Sequence, residues 1–121
     1  MPNNPMRLLN QRNDSIVAEN VEIAKTIRAR LVGLIGRKDL PAGSAFIIPG
    51  CRQVHTFLMR FPIEVIFTDA KGRVIGTESV RPNRISGYCR RAVKAIELPA
   101  GTISSEDIRM GDGLLIEDSD Q

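Results

Sequence analysis

The sequence predicts a mainly β protein, a compact β-sandwich or jelly-roll-like barrel with one or two short helices. Three observations carry that expectation. Short apolar runs recur along the chain, each closed by Gly, Pro, Asn or Asp, the residues that end strands in turns. Aromatic residues make up only 4 % with no Trp, so the core rests on Ile, Val, Leu and four Phe. β-Branched side chains of this kind pack well on a pleated surface. Helical spacing of apolar residues is sustained in one place only, around residues 27–35.

The elements follow in order. Residues 7–10 and 15–24 are apolar runs separated by Asn10-Gln11-Arg12-Asn13-Asp14, a turn composition that makes them a hairpin. Val21 and Ile23, alternating with Glu22 and Ala24, fit a half-buried strand. Thr26 is placed to cap a short helix bearing Ile27, Leu31, Leu34 and Ile35, with arginines on its other face and Gly36 to end it. Pro41, Gly43 and Ser44 turn the chain into a strand over 45–48, closed by Pro49-Gly50. Residues 54–59 read as a strand, and Phe61-Pro62 bends the chain into another over 63–68. Asp69-Ala70-Lys71-Gly72 is a hairpin turn into a strand over 73–80. Residues 94–98 form a further strand, Thr102 caps a helical turn through Ile108, and residues 114–116 close the sheet.

One domain accounts for the chain: a disordered start over 1–5, a single β domain over 6–117 and a polar tail over 118–121. Hydrophobic residues are 42 % of the 121. A domain of this size buries roughly two-thirds of the surface its unfolded chain exposes, so no metal or disulfide staple is required. Cys51 and Cys89 make no disulfide framework and are expected as two reduced thiols. No apolar stretch approaches the ~18 residues of a membrane span. Residues 1–5 lack a basic start and an apolar stretch, so a cytoplasmic protein is expected. An exported mature chain freed of its leader would read the same way.

The net charge of +3 decides little, but its distribution is uneven. Between Ser79 and Ile96 stand Arg81, Arg84, Arg90, Arg91 and Lys94 with no acid among them. From Glu106 onward Asp107, Asp112, Glu117, Asp118 and Asp120 follow against Arg109 alone. No aromatic stacking platform accompanies the basic run, so it reads as a solvated surface with no specific nucleic-acid partner.

The segment Cys51-Arg-Gln-Val-His55-Thr56-Phe-Leu-Met59-Arg-Phe-Pro-Ile63-Glu64-Val-Ile-Phe67 carries a resemblance, together with Gly33-Leu34-Ile35-Gly36-Arg37, Glu97 to Gly101, and Gly111-Asp112. Over roughly residues 20–117 the chain resembles domain-of-unknown-function family 192, an uncharacterised bacterial and archaeal family. Ile35 stands where that family usually has Met, and Glu64 where it usually has Asp. The resemblance implies a β-sandwich or jelly-roll-like fold and no established activity.

The candidate ligand-binding or structural polar site comprises His55, Thr56, Met59, Glu64 and Glu97. His55 is the only histidine; read as a strand residue it shares a face with Phe57 and Met59. Glu64 and Glu97 are each flanked by apolar residues, and an inward-facing carboxylate needs a partner. No CxxC, HxH or HExxH spacing supports a metal site, and no cofactor is expected. In a strand, Cys51 and His55 would stand about 13 Å apart, too far for a thiol–imidazole pair. No matched nucleophile, base and orienting group is visible. The sequence therefore favours a non-catalytic ligand-binding or accessory protein whose partner is a small molecule or another protein, its oligomeric state unspecified. The alternative is a small hydrolase or lyase using His55 with Glu64 or Glu97.

Overall fold

The computed structural model describes residues 5–118; of the tail expected over 118–121 only Asp118 is among them, and most of the expected disordered start lies outside them. Eight strands form two sheets. The smaller has the order β2-β1-β8, with β1 (Met6–Asn10), β2 (Ser15–Ala18) and β8 (Leu114–Asp118) all antiparallel. The larger has the order β3-β4-β7-β5-β6, built from β3 (Asn20–Ile23), β4 (Ser44–Pro49), β5 (Ile63–Thr68), β6 (Val74–Val80) and β7 (Lys94–Pro99). Only β3 and β4 run parallel. The sheets do not close on one another, so the architecture is a β-sandwich rather than a barrel.

Strand alternation assigns the faces of the larger sheet. Ala45, Ile47, Ile66, Ile96 and Leu98 pack with Leu8, Val17 and Leu114 of the smaller sheet. Phe46, Ile48, Ile63, Val65, Phe67 and Ala95 point the opposite way. They meet Leu34, just beyond the short helix α1 (Ile27–Val32), and Val54 and Met59 from the long loops. The larger sheet is thus covered on both sides, which is why β4, β5 and β7 read as nearly continuous apolar runs.

Most expected elements are present. Asn10 to Asp14 turns the first hairpin, but the second run divides at Glu19: β2 stays in the small sheet and β3 passes to the large one. Thr26 caps α1 (Ile27–Val32), its Oγ1 accepting from Ala29 N at 3.0 Å. The helix ends at Gly33 rather than Gly36, because Gly33 takes a positive φ of 54°. In the hairpin after β5, the Asp69 carboxylate accepts from the N–H groups of Lys71 and Arg73. A Cβ on Gly72 would lie 2.8 Å from the Leu114 carbonyl oxygen, so only glycine fits there. Thr102 opens α2 (Thr102–Ser105) as its first residue, and Gly101 takes the capping position without a side-chain bond.

The strand expected over residues 54–59 is absent. That segment is a loop joined to residues 81–93 by one bridge, His55 to Ile85. Its alternating exposure imitates a strand, but Met59 N donates back to Thr56 O and Leu58 sits at φ 65°, which turns the backbone. Among the described residues no helix is long and apolar enough to cross a membrane.

The two ends of the sequence are tied by polar groups. Asp112 is buried and accepts from Asn10 Nδ2 at 2.8 Å, Arg12 Nε at 2.7 Å and Arg109 N at 2.9 Å. Burial pushes its carboxyl up, but these donors outweigh burial and hold it below the usual carboxylate range. Asp112→Ala is expected to cost about 2 kcal/mol, since it leaves buried Asn10 Nδ2 and the Arg109 N–H without their acceptor, while Arg12 keeps Asp107. Urea denaturation at neutral pH checks this, and the loss is expected to shrink as pH falls through the depressed Asp112 pKa.

Candidate functional site

Glu97 lies on β7 opposite Phe46 of β4 and Val65 of β5, so it shares their face beneath α1 and the loop over residues 50–62. Its side chain lines a cleft of about 50 Å³ with Arg30, Cys51, Gln53, His55 and Met59. Glu97 is 3 % exposed and makes no hydrogen bond or ion pair with any described residue. Burial alone pushes its carboxyl up to about 7. At neutral pH it is therefore balanced between a neutral acid, which both donates and accepts, and a carboxylate.

The loop supplies the remaining groups. His55 Nδ1 accepts from Phe57 N at 3.2 Å, and its ring stacks on Phe57 with centroids 5.2 Å apart. In the neutral imidazole this leaves the proton on Nε2, a free donor. The Cys51 thiol is pushed up first by burial and further by the Glu97 charge. Its Sγ donates to the Gln53 main-chain oxygen at 3.0 Å. Such a sulfur stays protonated and is a poor nucleophile. Because the loop is not extended, Cys51 and His55 line one cleft despite the separation that a strand would impose.

Of the five residues selected from sequence, the fold brings His55, Met59 and Glu97 to this cleft. Thr56 is fully buried and spent on the scaffold: its Oγ1 donates to the Arg81 carbonyl and accepts from Arg84 N at 2.9 Å. Glu64 pairs with Leu98, which puts it on the opposite face of the sheet from Glu97. Its Oε1 accepts from Ile103 N at 2.8 Å and so caps α2. Arg30 and Gln53 were not singled out from sequence. The one available signal for Arg30 was its place four residues before Leu34, which is buried.

The DUF192 family, described as uncharacterized ACR, matches residues 8–116. The chain belongs to that family. A UPF0127 protein of Thermococcus sibiricus is 29 % identical over 109 residues, 87 % of this chain and 71 % of that one. A UPF0127 protein of Thermococcus gammatolerans is 28 % identical over the same shares. The crystal structure of a protein of unknown function from Novosphingobium aromaticivorans superposes with a TM-score of 0.77 at 18 % identity. It covers 92 % of this chain and 83 % of the other, a likeness of fold.

Several DUF192 motif residues have structural work to do. Leu34 is core, and Arg37 lies over the Phe46 ring at 5.6 Å while pairing with Glu22 at 2.8 Å. Asp112 ties the chain ends as described. Glu97 is the exception, a buried acid that holds nothing together. Its raised pKa gives a signed expectation. Between the ordinary value of 4.5 and about 7 the folded protein holds a proton that the unfolded chain releases, so stability falls as pH rises through that window. Glu97→Gln is expected to remove this slope, making the variant more stable than wild type by about 3 kcal/mol at pH 8 and nearly equal at pH 4.5. Urea denaturation of both proteins across that range measures the difference; parallel curves would contradict a buried, unpaired acid.

Proposed function

We propose that this protein is a ligand-binding module that takes a small neutral molecule bearing hydroxyl or carbonyl groups over Glu97. The observation that carries the reading is the buried Glu97 carboxyl, unpartnered yet lining an open cleft. Buried polar atoms in native proteins are hydrogen-bonded in the great majority, so an orphan facing a cleft calls for a partner from outside the chain. As a neutral acid Glu97 offers a donor and an acceptor, His55 Nε2–H offers a donor, and Met59 offers an apolar wall.

The cleft is small beside the roughly 300–1,000 Å³ of a site that swallows a drug-sized molecule, so it holds one end of its ligand. An enzyme reading retains His55 and Glu97, with the acid as proton carrier. It is weaker because Cys51 is not activated and Glu64 is occupied in capping α2. Thermal melts against monosaccharides, polyols and small hydroxy acids test the proposal. A ligand at a hundredfold its Kd is expected to raise the melting temperature by about 10 °C in wild type, and Glu97→Ala to abolish the shift. Equal shifts in both proteins would place the ligand elsewhere, and a ligand recovered chemically altered would favour the enzyme.

A further inference from the structure

We propose that the loops over residues 50–62 and 81–93 form a docking surface for anionic lipid membranes. The two loops are one unit. Thr56 N donates to Arg84 O, Ser86 N to Val54 O, and Cys89 N to Arg52 O, each between 2.8 and 2.9 Å. Together they carry Arg52, Arg60, Arg81, Arg84, Arg90 and Arg91 and no acidic residue. None of these six makes an ion pair with a carboxylate among the described residues, whereas Arg7, Arg12, Arg37, Arg73 and Arg109 all do. The carboxylate of Glu78, which reaches these loops from β6, is engaged by Gly87 N at 2.8 Å.

Among the arginines stand side chains that globular proteins seldom leave in water together. Leu58 is 75 % exposed, Tyr88 62 %, Ile85 55 % and Phe57 44 %. Leu58 is displayed at a cost. Its φ of 65° is strained for a bulky residue, and Asn83 Oδ1 holds it there by accepting from Leu58 N at 2.9 Å. A strained backbone that presents an exposed leucine marks a residue kept for contact. The arginines alone would suit any polyanion. Tyr88 and Phe57 could each stack on a base, but the more prominent Leu58 and the exposed Ile85 could not, while the headgroup–acyl boundary accepts aliphatic and aromatic side chains alike. Arginines around them then meet lipid phosphates.

Co-sedimentation of the full chain with vesicles tests this, independently of what the Glu97 cleft holds. Vesicles of phosphatidylglycerol and phosphatidylcholine are expected to bind about 30-fold more tightly than phosphatidylcholine alone, with the preference falling as salt rises. Leu58→Gly suits the positive φ, so its melting temperature is expected to equal or exceed wild type while vesicle binding drops about tenfold. Arg81→Gln with Arg84→Gln is expected to weaken binding and flatten its salt dependence, since the Thr56 contacts use only the backbone of both residues. Absence of preference for anionic vesicles would overturn the proposal, as would equal pelleting of wild type and Leu58→Gly. So would tight binding of a single-stranded oligonucleotide that Leu58→Gly leaves unchanged, which would make the surface one for nucleic acid.

Discussion

The position of β7 constrains the rest of the molecule. It runs down the middle of the large sheet, bonded to β4 on one edge and β5 on the other, and both of its faces are covered. Ala95, Ile96 and Leu98 have almost no contact with solvent. In such a strand the four central residues are all interior, and parity alone decides which core each enters. Glu97 falls on the side of α1. The fold could have placed a valine there at a gain in stability, because a buried carboxyl without a partner is held only against its solvation. That cost to folding is the observation on which the proposed ligand site rests.

Above that strand the protein builds a roof from irregular backbone. Buried loops are difficult because each peptide group needs a partner. Here Thr56 supplies part of the solution: its main chain and hydroxyl together engage the backbone of Arg81, Asn83 and Arg84. Ser86 contributes in the same way, its hydroxyl accepting from Val54 N at 2.9 Å. Two long loops are thereby fused into one layer. That layer lines the Glu97 cleft and also carries arginines and exposed apolar side chains. His55 takes part in both, lining the cleft while bridging to Ile85.

The strands were legible in the sequence because their signal is local. The alternation of Val21, Glu22 and Ile23 and the Asp69 to Gly72 turn follow from residues close together in the chain. So does the Thr26 cap, which needs only the N–H three residues on. The loop over residues 54–59 deceived because buried Val54 and Thr56 alternate with exposed His55 and Phe57. Period-two exposure is necessary for a surface strand and not sufficient for one; a ladder is also required, and Leu58 turns away from it. The cleft was half legible. Glu97 and Glu64 have the same apolar flanks, and only the register of β5 against β7 separates them onto opposite faces. Gln53 was invisible because its role comes from long-range packing that no short window records, and Arg30 had only its helical spacing from Leu34.

The pairing of β1 with β8 bears on how the chain acquires its fold. Met6 lies opposite Asp118, and Leu8 opposite Ile116, so the small sheet joins strands from the two extremes of the sequence. Contacts of such separation close slowly, since the intervening chain must first surrender its loop entropy. During synthesis β1 leaves the ribosome long before β8 and can hold only its hairpin partner β2. Until β8 arrives, Leu8 and Ile47 lack part of their cover, and the open edge of β1 can pair with a neighbouring chain. The interval before β8 pairs is thus the stage at which β1 is most exposed to aggregation.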